Sequence, residues 1–115
     1  MIKGFEDYTE QLNEYEKNTL LPIIIRGLKT KIGVKNAITN KRIAEALSYA
    51  GYKGLHGSRI RKIINYIRIE GSIINLVASS KGYWIEDNIE IRKRYVEGVK
   101  SRANSMLASL NNIEI

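Results

Sequence analysis

The chain has 115 residues, of which 43% are hydrophobic and 27% charged, a composition typical of one globular domain and not of a disordered segment. The absence of cysteine and the single histidine argue against disulfides and zinc sites, so neither metal nor cofactor is expected. No apolar stretch is long enough to span a bilayer and the N-terminus does not resemble a signal peptide, so we expect a cytoplasmic protein with no membrane contact.

The net charge of +7 is unevenly distributed along the chain. Residues 1–18 carry two basic and five acidic side chains, residues 19–85 carry twelve and two, and residues 86–115 carry five of each. Positive charge concentrated in the middle of the chain favours a polyanionic partner. A solvated lysine-rich surface would give the same composition.

Two helical patterns lie in the first third of the chain. Residues 5–18 have one apolar face, with acids on the other side. That face is formed by Phe5, Tyr8, Leu12 and Tyr15. A second helix is predicted over residues 20–32, with Thr19 as its N-cap, Pro22 in its first turn and Gly33 as its stop. Its apolar face is formed by Ile24, Leu28 and Ile32. The two helices are either separate or one helix kinked at the proline.

The next helix is predicted to start after Thr39, which can act as its N-cap, and to end at Gly51. Its buried face is formed by Ile43, Leu47 and Ala50. Anions are favoured at helix N-termini, where backbone N–H groups lack partners. The first residues of this helix are therefore predicted to meet a DNA phosphate; they are Asn40, Lys41 and Arg42.

Residues 58–70 form the candidate recognition helix, and Gly71 is predicted to end it. A stripe of isoleucines at helical spacing defines its buried face. The stripe consists of Ile60, Ile63, Ile64 and Ile67. The opposite side presents Ser58 and three side chains suited to base edges in the major groove, namely Arg61, Lys62 and Asn65. Arg59 and His56 are predicted to contact phosphates.

A β-hairpin follows, with strands over Ile73–Ser79 and Tyr83–Ile85 and a turn at Ser80-Lys81-Gly82. Tyr83 and Trp84 are predicted to point to opposite faces. The order helix, turn, helix, hairpin predicts a mainly α fold with a small β-hairpin, a winged helix-turn-helix with extra N-terminal and C-terminal helices. Lys81, at the tip of the wing, would then lie on the DNA backbone.

A C-terminal helix is predicted over residues 88–112, with Asn88 as its N-cap. Apolar residues alternate at spacings of three and four and form a seam. The seam includes Val96, Val99, Ala103, Met106 and Leu110. Two interpretations stay open: the seam folds back on residues 5–32, or it pairs with a second copy in a homodimer.

Three stretches carry a family resemblance: ITNKRI at 38–43, RKIINYIR at 61–68 and SSKGY at 79–83. They resemble the small winged-helix proteins of phages and prophages in low-GC Gram-positive bacteria. The resemblance covers about the middle half of the chain. It implies a DNA-binding protein of phage or mobile-element origin in a bacterial host cell, acting in transcription regulation or DNA replication, with no catalytic residues to carry over.

Two other functions compete with duplex binding. Gly51-Tyr52-Lys53-Gly54 matches the GXXG clamp that KH domains use on single strands, although such four-residue strings are common. Winged helices also serve as protein-interaction adaptors, and the acidic N-terminal helix would suit a protein partner. The phosphate-binding and metalloprotease motifs of enzymes are missing, so we do not expect an enzyme.

Overall fold

A computed structural model describes residues 11–115. This part of the chain is mainly helical with one small antiparallel hairpin, which is compatible with a winged-helix-like architecture. Its elements are α1 (Leu21–Leu28), α2 (Asn40–Tyr49), α3 (Gly57–Glu70), β1 (Leu76–Ser79), β2 (Gly82–Ile85) and α4 (Ile89–Ser109). Phe5 and Tyr8, which contribute to the first predicted helix, lie outside the described residues.

The first described helix begins at residue 14, so the predicted helix over 5–18 is wrong at residues 11–13. Asn13 and Glu16 bond reciprocally at its start: the Glu16 amide donates to Asn13 Oδ1 (2.8 Å) and the Asn13 amide donates to Glu16 Oε1 (2.9 Å). The chain then passes through a π-helical segment, Glu16–Leu20, directly into α1. The two helical patterns are therefore continuous, and Thr19 lies inside the helix and does not cap it.

The widened segment lies next to Pro22. Proline has no N–H to donate and its ring crowds the carbonyl four residues earlier, which disfavours regular α-helical bonding at this point. The Leu21 amide instead donates to the Glu16 carbonyl five residues back, as in a π-helix. The helix accordingly accommodates the proline without breaking.

The predicted second helix is too long, because α1 ends at Leu28 and not at residue 32. Residues 31–33 instead run along β2: the Gly33 amide donates to the Ile85 carbonyl (2.9 Å) and the Ile85 amide donates to the Lys31 carbonyl (2.7 Å). Ile38 exchanges two further backbone hydrogen bonds with Tyr83. Because β1 pairs along the other edge of β2, β2 is the central strand of this small sheet.

The core lies between the three helices and one face of the hairpin. Its buried side chains are Leu20, Ile24, Leu28, Ile43, Leu47, Ile60, Ile63, Ile64, Ile67, Ile73 and Leu76. The isoleucine stripe of α3 is confirmed in full, and so is its stop at Gly71, which is left-handed. Thr39 caps α2 as predicted, with Oγ1 accepting from the Arg42 amide, but Ala50 is exposed and not part of the buried face.

The hairpin is shorter than predicted. β1 begins at Leu76, because residues 71–75 form turns and Asn75 has a positive φ of 63°. Gly82 is the first residue of β2, opposite Ser79, so the tip consists of Ser80 and Lys81 alone. The two aromatic residues point to opposite faces as predicted: Tyr83 packs against the core, whereas Trp84 is buried on the other face, opposite Val77.

The buried carboxylate of Glu86 fixes the start of α4. It accepts hydrogen bonds from Trp84 Nε1 (2.9 Å) and the Asn88 amide (3.0 Å), and these lower the pKa of Glu86 although burial opposes them. Asn88 caps the helix as predicted, accepting from the amides of Glu90 and Ile91.

Beyond this junction α4 does not fold back on the other helices. None of its residues is buried, so the interpretation that its seam is intramolecular core is wrong for the described residues. The described part measures 49 × 34 × 21 Å. None of its helices combines the length and the apolar character needed to cross a membrane.

Gly82 leaves no room for a side chain where β2 passes the start of α2. Its φ is +112°, and a Cβ there would collide with the Ile38 carbonyl and the Thr39 amide nitrogen. We expect Gly82→Ala to lower the free energy of unfolding by about 2 kcal/mol or more, through both backbone strain and overpacking. Urea unfolding followed by circular dichroism measures this loss.

The matched control is Gly51→Ala, which has a similar φ of +99° but open space around the new methyl group. Gly51→Ala introduces the backbone strain without the collision, so it should lower the free energy of unfolding by less than Gly82→Ala does. Equal losses in the two variants would contradict the close approach of β2 to the start of α2.

Candidate nucleic-acid interface

The outward face of α3 follows from its buried stripe. Ser58 and Arg61 are exposed and Asn65 is half-buried, in line with their predicted positions opposite the isoleucines. Within residues 11–115 Arg61 makes no ion pair, so its guanidinium is available to a ligand. Ile69 lies further along the helix, is 56% exposed, and borders a shallow depression with Asn65 and Ile74.

Two cations of α3 point elsewhere. Arg59 Nε lies 3.0 Å from Glu16 Oε2, and Lys62 Nζ lies 2.8 Å from Glu16 Oε1. The predicted outward, base-reading position of Lys62 is corrected by this geometry, because its ammonium group is held at a carboxylate that is only 1% exposed. Arg59 is held at the same carboxylate, and its phosphate contact stays a prediction. In both cases a long flexible stem carries the charge around the helix to the buried acid.

Glu16 was missed by the sequence patterns, which place the acids of the first helix on its outer side. The signal that could have identified it is the Asn13-x-x-Glu16 spacing of a capping box. Burial opposes ionisation of this carboxyl, but hydrogen bonds from Lys62, the Asn13 amide and Arg59 outweigh it and hold the pKa of Glu16 below its ordinary value. The side chain is therefore a buried carboxylate at neutral pH.

His56 caps α3. Its Nδ1 accepts the Arg59 amide (3.2 Å) and lies 2.7 Å from Ser58 Oγ. An imidazole nitrogen that accepts a backbone N–H carries no proton, so the Ser58 hydroxyl is the donor in the second contact. The structure thus gives His56 and Ser58 a capping role at the start of the helix, where both remain exposed.

The hairpin tip lies beside the start of α2. Gly82 closely approaches Ile38 and Thr39, so Lys81 is brought next to the first turn of α2. Lys41 and Arg42 in that turn are exposed. The backbone of the hairpin tip and the first turn of α2, which the sequence predicts as two separate phosphate contacts, are therefore neighbours at a helix N-terminus, whose dipole favours an anion.

Asn40 is placed differently from its two neighbours. The residue is half-buried, and its Oδ1 is buried with no hydrogen-bond partner among the described residues. The side-chain amide oxygen of Asn40 is thus turned inward, while the side chains of Lys41 and Arg42 face solvent. Of the three predicted contacts in this turn, the two cations have the more accessible placement.

Arg68 is also engaged within the protein. Its Nη2 donates to the hydroxyl of Tyr95 in α4 (2.7 Å), and the Ala78 amide donates to the same oxygen (3.4 Å). One phenol therefore links α3, β1 and α4. Arg68 ties α4 to α3, a role that spacing along the sequence gave no means to predict.

The GYKG loop is tied to the first helix. The Tyr15 hydroxyl donates to the Lys53 carbonyl (2.7 Å) and accepts from the Lys53 amide (3.3 Å), while Arg59 Nη1 donates to the Gly54 carbonyl (2.9 Å). Three backbone groups of the loop, the Lys53 amide and the carbonyls of Lys53 and Gly54, are therefore already hydrogen-bonded within the protein.

Among residues 11–115 no three His, Cys, Asp or Glu side chains come together in a group that could hold a metal ion. Comparison of the chain with protein-family models, curated proteins and solved structures found no match.

We expect Glu16→Gln to lower the free energy of unfolding by about 2 kcal/mol at neutral pH, because Arg59 and Lys62 lose the charge that compensates their partial burial. The pKa of Glu16 is lower in the folded chain, so its contribution is present above the ordinary glutamate pKa of about 4.3 and is lost as the pH falls through the folded value. The difference between wild type and variant should therefore shrink in acid. Urea unfolding at neutral and acidic pH tests this, and a difference independent of pH would contradict it.

A matched pair on α3 separates this ion pair from general charge effects. Lys62→Glu places a second acid at buried Glu16 and should destabilise the protein at least as much as Glu16→Gln. Arg61→Glu makes the same charge change one residue earlier, on the exposed face, and should change stability by less than about 1 kcal/mol.

Proposed function

We propose that the protein binds double-stranded DNA as a winged helix-turn-helix, with α3 in the major groove and the hairpin tip on the backbone. The observation that carries this proposal is the close approach of the hairpin tip to the start of α2, which brings Lys81 next to the turn that holds exposed Lys41 and Arg42. A helix N-terminus surrounded by cations suits a phosphate, and phosphate contacts fix the position of a reader on the duplex.

Base contacts are assigned to the side of α3 opposite the isoleucine stripe. Arg61 can donate two hydrogen bonds to guanine, and Asn65 can bond adenine. Exposed Ile69, one turn beyond Asn65, offers an apolar contact for a thymine methyl group. Arg59 and Lys62 are left out of this assignment, since both are bound to Glu16.

The short hairpin limits how far the wing can reach. With only Ser80 and Lys81 at its tip, it contributes one cation beside α2 and does not extend along a groove. The proposed contact surface is thus compact, and a regulatory or replication role on phage or mobile-element DNA remains part of the proposal.

Anisotropy titration of a fluorescent random-sequence duplex tests the proposal. Arg61→Ala and Lys81→Ala should each weaken binding, by about 1 kcal/mol or more, and a lost phosphate contact should reduce the slope of log affinity against log salt by about one. The physical reason is that each cation releases counterions from the duplex when it binds.

Arg94→Ala is the charge-matched control. It removes one positive charge from an exposed position of α4, outside the proposed contact surface, and should leave affinity nearly unchanged. Equal losses in all three variants would indicate attraction by net charge alone and would count against the docking of α3 and the wing.

A further inference from the structure

The seam of α4 is exposed along its whole length. Its first turns are anchored, because Arg92 Nη1 donates to the Glu86 carbonyl (3.0 Å) and Tyr95 bonds Arg68. From residue 99 onward every residue is exposed, including Met106 at 67% and Leu110 at 40%. A lone helical segment of this length is marginal in water, and helices in proteins gain most of their stability from packing an apolar face.

We propose that a second copy of this chain covers the seam, forming an antiparallel pair of α4 helices. In an antiparallel coiled coil, an apolar heptad position a of one helix faces position d of the other. Here Val99 then faces Leu110 of the second copy, and Ala103 faces Met106. These pairs are centred between residues 104 and 105. The same apolar stripe therefore meets itself from both sides, with no charged residue at these positions.

Charge along α4 and the six residues that follow it supports this direction of pairing. Residues 89–102 carry five basic and two acidic side chains, a net charge of +3, whereas residues 103–115 carry Glu114 alone, a net charge of −1. A parallel pair would place the two basic halves side by side. The antiparallel pair places each basic half beside the weakly acidic half of the other copy, and it opposes the helix dipoles favourably.

The pairing also sets the distance between the two anchored ends. In this register, residue 92 of one copy and residue 92 of the other are separated along the common helix axis by the rise of 25 helical residues, about 37 Å. Successive half-sites on one face of DNA lie about 34–36 Å apart. This spacing argument rests on the proposed DNA binding, whereas the dimer itself does not.

Sedimentation equilibrium of the full chain tests the dimer. Wild type should show a monomer–dimer equilibrium that Val99→Asp weakens at least about tenfold, since the substitution buries a charge in the seam. Ser101→Asp adds the same charge to the same helix on the side away from the seam and should leave association unchanged. A monomeric wild type, or equal effects of the two substitutions, would overturn the proposal.

Disulfide formation between introduced cysteines tests the relative direction of the two helices. The chain has no cysteine of its own, so no other thiol competes. A mixture of Val99→Cys and Leu110→Cys proteins should form the mixed disulfide, whereas neither alone should cross-link, since like residues lie about 16 Å apart along the axis. Homodisulfides in each variant would indicate a parallel pair and overturn the antiparallel one. If Val99→Asp is monomeric yet still binds duplex in an Arg61-dependent way, the dimer is supported independently of the DNA proposal.

Discussion

The buried carboxylate of Glu16 is the interaction on which the arrangement of the helices depends. A buried charge is tolerated only when its oxygens are bonded, and Glu16 meets this condition through the Asn13 amide, Arg59 and Lys62. Since Arg59 also donates to Gly54, the same cluster ties the first helix, α3 and the loop before α3 together. The same carboxylate also separates the cations of α3 into two groups. Arg59 and Lys62 form ion pairs with Glu16 and join α3 to the first helix, whereas Arg61 faces solvent.

A second constraint comes from the central position of β2. Backbone bonds to β1 on one edge and to residues 31–33 and 38 on the other hold it in place, and Gly82 lets its first residue pass close against Thr39. The helix bundle and the hairpin are thereby joined at the point where α2 begins. That junction, and not the length of the wing, brings Lys81 next to the first turn of α2.

The features that could be predicted from sequence are those fixed by local spacing. The isoleucine stripe of α3, the Thr39 and Asn88 caps and the Gly71 stop each depend on residues a few positions apart. Features that depend on the fold could not be predicted this way. Lys62 reaches Glu16 across 46 positions, and α1 ends early because residues 31–33 are drawn to β2. The exposure of the α4 seam likewise could not be predicted from periodicity, since a seam has the same spacing whether it packs internally or on another chain.

The measurement that tests the central claim most directly is a titration of the full chain with a random-sequence duplex and with one of its single strands, at about 50 and 200 mM salt. The winged-helix account predicts a preference for the duplex and a steep loss of affinity at the higher salt, as phosphate contacts release counterions. Preference for the single strand would contradict it and favour the GXXG loop. Binding to neither would contradict it as well, and the exposed faces would then have to serve a protein partner.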